Sequence, residues 1–86
     1  MNSMVIFKTK DFEKELKKLP SEIKSLFKKQ KTTLEDNWLD PRLHTKKIKE
    51  IPGVYSFRIT RQYRVLFYFS KNNAIFFSIG HRKDIY

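Results

Sequence analysis

The stretch Val54–Tyr86, VYSFRITRQYRVLFYFSKNNAIFFSIGHRKDIY, decides the fold. Tyr55, Phe57 and Ile59 alternate with Ser56 and Arg58, the period-2 pattern of a strand with one buried face. Tyr63–Phe69 and Ala74–Ile79 are aromatic and β-branched runs of strand length. The links Thr60-Arg61-Gln62 and Ser70-Lys71-Asn72-Asn73 have the length of hairpin loops, and Asn tolerates the left-handed backbone such loops use. The stretch therefore predicts three antiparallel strands and then a basic tail, Gly80–Tyr86.

A three-residue loop at Thr60–Gln62 would set the register. Ile59 then faces Tyr63, and Arg58 lies directly opposite Arg64. Both arginines fall on the face not occupied by Tyr55, Phe57, Ile59, Val65 and Phe67. Like charges opposite one another destabilise a sheet by a few tenths of a kcal/mol or more. Two readings stand side by side: a solvated outer face with snorkelling arginines, or a site for an anion that neutralises both.

Outward from this stretch, Met4–Lys8 reads as a short first strand. Thr9 is placed to cap a helix whose first turn holds Asp11 and Glu13, with Phe12, Leu16 and Leu19 at helical spacing. Pro20 stops it. Ser21 is expected to cap a second helix in which Ile23, Leu26, Phe27, Leu34 and Trp38 share a face. Leu43–Ile51 is expected to form the second strand or its approach, and Pro52-Gly53 is a turn signal. The whole predicts one α+β domain over residues 1–86. An N-terminal strand and a two-helix hairpin precede a mostly antiparallel sheet of about four further strands. The pattern leaves the strand order open.

Eighty-six residues bury a marginal core, which the 15% aromatic content strengthens. With no cysteine, disulfide frameworks and cysteine-based nucleophiles or metal sites are excluded. No apolar run approaches the ~20 residues of a membrane span, and no signal-peptide pattern precedes the first strand. The expectation is a soluble, cytoplasmic protein without membrane attachment. The formal net charge is +10. Up to Leu43 there are 10 basic and 7 acidic residues; beyond it there are 9 basic and 2 acidic. The excess therefore lies with the strands, which favours a polyanionic partner such as nucleic acid.

Chemistry has few candidates. The strand half offers only Glu50 and Asp84 as carboxylates, and His44 and His81 alone make a poor zinc set, so no metal or other cofactor is expected. Metal-free RNA cleavage needs another kit: a base for the 2′-hydroxyl, an acid for the leaving 5′-oxygen, and cations for the phosphoryl oxygens. Arg58, Arg64 and Arg82 can supply the cations, since guanidinium matches phosphate bidentately. His81 is of the type that exchanges protons near neutrality. Tyr86 can stack on a base or move a proton. Lys46, Lys47, Lys49 and Arg61 are candidates for flanking phosphates. Bland readings exist for each: His81 as a strand end, Tyr86 as a core aromatic, Asp84 paired with a nearby Arg or Lys, and the lysines as solvated surface.

The order Tyr-Arg-Val-Leu-Phe (63–67), an aromatic strand ending in Ile79-Gly80, and then His81-Arg82-Lys83-Asp84-Ile85-Tyr86 resembles the C-terminal half of the RelE/ParE toxin superfamily. Leu43-His44-Thr45-Lys46-Lys47 before Val54–Arg58 is similar to its RelE branch. The resemblance implies a toxin of a type II toxin–antitoxin system that cleaves messenger RNA on the ribosome without a metal. It places Arg64, Arg82 and Tyr86 at catalytic positions, His81 where other members carry another basic residue, and Arg58 near a functional lysine. It also implies a cognate antitoxin, expected to be acidic and helical, in complexes able to form higher oligomers. The alternative on the same fold is a ParE-like DNA gyrase inhibitor or a non-catalytic binding module.

Overall fold

The computed structural model describes residues 4–85. Strand β1 (Val5–Lys8) leads into helices α1 (Lys10–Lys17) and α2 (Ser21–Asp36). A 3-10 turn at Pro41–Leu43 follows, then strands β2 (Lys46–Lys47), β3 (Val54–Arg58), β4 (Tyr63–Ser70) and β5 (Asn73–His81), and a closing helix α3 (Arg82–Ile85). The sheet order is β1-β5-β4-β3-β2, with every neighbouring pair antiparallel except β1, which runs parallel to β5. The α+β architecture with its N-terminal strand, helical pair and four further strands is the one the sequence predicts.

Burial separates the two sheet faces. Phe12 of α1 and Phe27 and Leu34 of α2 pack on Phe57, Val65, Phe67 and Phe76, all buried. Phe76 sits at the centre, with its ring 5.3–6.1 Å from those of Phe12, Phe27, Phe57 and Phe67. Tilted and edge-on pairs at such distances are the favourable aromatic arrangements. Trp38, just beyond α2, closes one end of the core against Tyr55 and Phe69.

Local chemistry explains most element ends. Thr9 caps α1, its hydroxyl accepting the Phe12 amide at 3.1 Å. Ser21 does not cap α2: it is the first helical residue, the cap position belongs to Pro20, and no side chain caps there. The Pro20 carbonyl instead accepts the Ile23 and Lys24 amides. Leu26, assigned to the apolar face, is 39% exposed, because the helix turns it off the sheet while Phe27 goes in. The Ser70–Asn73 link is a two-residue hairpin turn in which Lys71 and Asn72 both take positive φ, 52° and 71°.

Two expectations needed revision. Leu43–Ile51 yields only two strand residues, because Asp40 and Pro41 start a 3-10 turn that ends with His44 in the left-handed region (φ 49°). Asp40 Oδ1 accepts the Arg42 amide at 2.9 Å, and the same carboxylate binds the Arg42 guanidinium at 2.8 and 3.0 Å. That guanidinium holds the Asp40 carboxyl down at about 2. The tail, read only as a basic segment from Gly80 onward, gives Gly80 and His81 to β5 and then turns into α3 at Arg82.

Candidate functional site

The hairpin register places Arg58 opposite Arg64, the juxtaposition read from loop length. The three-residue loop is tightly tied. The Ile59 and Thr60 amides both donate to the Tyr63 carbonyl, at 2.9 and 3.3 Å, and Thr60 Oγ1 accepts the Gln62 and Tyr63 amides. On the helix side, Gln30 of α2 donates through Nε2 to the carbonyls of Arg58 (2.9 Å) and Arg42 (3.1 Å). It thus ties the arginine end of β3 to the turn that precedes β2. Nothing in the periodicity of α2 marks Gln30 for this task; only its long-range partners do.

Arg64 is only 6% exposed. It forms the floor of a cleft of about 570 Å3 on the sheet face away from α1 and α2. Leu66 lies beside it on β4. Lys46 and Lys47 of β2, with Lys49, Glu50 and Ile51 of the following loop, make one wall, and Ile85 of α3 makes the other. Four cations against one carboxylate give the cleft a positive field focused by apolar neighbours. Its volume suits a nucleotide-sized ligand. Arg58 is half-buried; its Nε is shielded from solvent and makes no hydrogen bond among the described residues. No described carboxylate lies within ion-pair distance of Arg58, Arg82 or any cleft lysine.

The other candidates are dispersed. Arg61 is exposed at the tip of the β3–β4 loop, and Arg82 is exposed at the start of α3, its backbone amide donating to Gln62 O at 2.7 Å. Asp84 makes no ion pair among the described residues, contrary to the pairing expected for it. His81 lines a second cavity of about 630 Å3, on the α1 side of α3, together with Asp11, Lys14, Glu15 and Tyr63. Its ring stands edge-on to Tyr63 at 5.7 Å, and its Nδ1 accepts the Lys83 amide at 3.2 Å. Ile85 lines both cavities and so forms the partition between them. Tyr86 lies outside the described residues. No group of three or more His, Asp or Glu among the described residues is arranged to hold a metal ion. No described helix is long and apolar enough to cross a membrane.

Comparison with known proteins agrees with this architecture. The family model described as the ParE toxin of the type II toxin–antitoxin system parDE matches residues 6–86. Among solved structures, the RelB–RelE antitoxin–toxin complex of Methanococcus jannaschii contains a chain 31% identical to this one, with a TM-score of 0.78 and coverage of 93% of this chain and 94% of that one. The RelBE2 toxin–antitoxin complex of Mycobacterium tuberculosis is matched at 23% identity and TM-score 0.77 (93% and 99% coverage). The Escherichia coli DinJ–YafQ complex is matched at 13% identity and TM-score 0.78 (98% of each chain). A search of curated proteins gives no match. A helical pair on one sheet face and a basic cleft on the other define a toxin of the RelE/ParE fold. The chain belongs to the ParE toxin family of type II toxin–antitoxin systems, within the RelE/ParE superfamily.

Proposed function

We propose that this toxin is a ribosome-dependent, metal-independent endoribonuclease acting on messenger RNA through the Arg64 cleft. The observation that carries the reading is the convergence of Lys46, Lys47 and Lys49 on buried Arg64 in one cleft. The lysines hold the backbone on either side of the scissile phosphate. The 2′-oxygen attacks the adjacent phosphorus, its proton passes to a base, and the 5′-oxygen leaves with a proton from an acid. The buried Arg64 guanidinium meets the charge gathering on the phosphoryl oxygens, where a water-poor site makes it count most. Arg82 and Tyr86, carried by or following α3, supply the remaining contacts, with Arg58 behind Arg64. This chemistry leaves a 2′,3′-cyclic phosphate and a 5′-hydroxyl.

Induced expression should stop growth with messenger cut in translating cells, and Arg64→Ala and Arg82→Ala should each relieve the arrest at equal protein level. Full toxicity of both variants would remove the cleft from the mechanism. The second reading, inhibition of DNA gyrase, is favoured by the match to the ParE family model. Pulse labelling after induction separates them: early loss of protein synthesis supports cleavage of message, early DNA damage with translation intact supports gyrase.

The partner in this reading is an antitoxin, as in the solved toxin–antitoxin complexes of the similar chains. An acidic, helical segment fits a surface of this charge. It also fits the open sheet face beside the cleft, where Val5 and Phe7 are each 52% exposed, Phe7 pairs with Ile75 of the neighbouring β5, and the Tyr68 ring lies 5.6 Å from that of Phe77.

A further inference from the structure

The geometry of α3 assigns His81 a role apart from proton transfer. We propose that His81 is a positioning residue whose imidazole caps α3 and thereby sets the wall that Ile85 presents to the Arg64 cleft. The inference rests on the reading of that cleft as the RNA site.

His81 occupies the residue before α3, and its Nδ1 accepts the amide two residues on, that of Lys83, at 3.2 Å. This is the bond that a Ser, Thr, Asp or Asn side chain makes at a helix N-cap. A four-residue helix has almost no internal hydrogen bonding to hold it, so its place depends on such anchors. Three fix it here. The Arg82 amide donates to Gln62 O at 2.7 Å, continuing the β4–β5 pairing. The Lys83 amide donates to His81. At the far end Ile85 lies so close over Gly80 that a Cβ there would meet Ile85 Cγ2 at 3.1 Å.

Gly80 is the strand partner of Arg64, so the turn that brings Ile85 onto Gly80 brings it beside the buried guanidinium. An Nδ1 that accepts a hydrogen bond is deprotonated, which leaves the imidazole proton on Nε2. The ring stands edge-on to Tyr63 and lines the cavity on the α1 side of the partition, together with Asp11, Lys14 and Glu15 of α1, Lys18 just after it and Asp84 of α3. One ring nitrogen is thus committed to the backbone, and the other belongs to a cavity that Arg64 does not line.

The two roles for His81 make opposite demands on its replacements. Asn can cap a helix but cannot serve as a proton-transfer group near neutrality; Phe keeps an aromatic edge against Tyr63 but offers no acceptor. The test compares wild type, His81→Asn and His81→Phe as purified full-length protein. Its readouts are Lys83 and Ile85 amide exchange, the wild-type imidazole 15N spectrum, and cleavage of message on ribosomes. The expected spectrum is a bare, accepting Nδ1 with the proton on Nε2. His81→Phe should speed Lys83 exchange roughly five-fold, the size of a lost cap, and should lose most cleavage. His81→Asn should stay within about two-fold of wild type in both. If His81→Asn is as inactive as His81→Phe while its Lys83 amide stays protected, the proposal is overturned in favour of proton transfer. Equal Lys83 exchange in all three proteins overturns it as well. Should the wild-type protein cleave no message, the reading of the cleft fails separately, and the exchange and 15N data alone decide the cap.

Discussion

At the scale of single residues, Arg64 carries the most weight, because it is the buried guanidinium of the basic cleft. Its strand neighbour opposite is another cation, Arg58, and like charges directly opposite one another destabilise a sheet. Arg64→Ala is expected to reduce cleavage by about 10²-fold, the usual effect of removing one transition-state donor. Arg64→Lys should recover little, since an ammonium loses the planar two-point match to phosphate. Arg61→Ala, at the exposed loop tip, should change cleavage by less than about three-fold, as loss of one outlying phosphate contact would. Single-turnover cleavage at matched protein concentration, beside melting curves, checks all three. Equal losses at Arg61 and Arg64 would place the chemistry outside the cleft.

At the scale of elements, the two hairpins and α3 decide where these residues go. The β4–β5 turn holds Lys71 at φ 52°, a region where a residue with a Cβ and no local side-chain bond carries a cost of about 1 kcal/mol. Lys71→Asn or Lys71→Gly should therefore raise the urea midpoint, and Lys71→Val should lower it. Gly80→Ala tests the seat of α3: the added methyl meets Ile85 Cγ2 at 3.1 Å, so the Ile85 side chain that walls the cleft must give by a few tenths of an ångström. Cleavage should fall with little loss of stability, and Gly80→Ala combined with Ile85→Ala should regain part of it, because the shorter side chain removes the clash. Unchanged cleavage in Gly80→Ala would mean that the wall formed by Ile85 does not matter. The turn before β2 adds a pH dependence. The Asp40 carboxyl is held at about 2 by Arg42, below its ordinary value near 4. Its contribution is therefore complete above pH ~4 and disappears as pH falls through about 2. An NMR titration of Asp40 in wild type and Arg42→Ala checks this, the carboxyl returning toward 4 in the variant.

For the whole molecule, a small core and a large positive charge set the terms. Phe76 touches four other core rings, and Phe76→Ala should cost about 3–5 kcal/mol, enough to leave a chain of this size largely unfolded by circular dichroism. The charge governs encounter. Association with an acidic antitoxin segment should slow steeply as salt rises, while dissociation changes less. In the proposed complex apolar contacts supply the hold, so replacing exposed Val5 and Phe7 together by Ser should raise the dissociation rate by at least about ten-fold with association nearly unchanged. Stopped-flow binding across a salt series measures both, and salt-indifferent association would rule out charge-guided capture.

The sequence by itself determined the elements that rest on local periodicity and short loops. The alternation of Tyr55–Ile59, the three-residue loop and the aromatic runs fixed β3, β4 and β5 and, with them, the Arg58–Arg64 register. Side-chain period and loop length are properties of neighbouring residues, and they survive whatever the rest of the chain does. The family was legible for the same reason, since its motifs lie on those strands in order. Tertiary structure alone decided the parallel place of β1 beside β5, the shortening of β2 to Lys46–Lys47, the turn of the tail into α3, and the division of the candidates between two cavities. The place of β1 and the division between two cavities are encoded in no window of neighbours, although local bonds at Asp40–Arg42 and His81–Lys83 help shape the other two. The lysines of β2 share a cleft with Arg64 only because the sheet order sets β2 one strand, β3, away from β4, and His81 is parted from Arg64 because Gly80 lets Ile85 fold down between them. Each is settled by which distant surfaces can be buried together, and burial is a property of the whole chain.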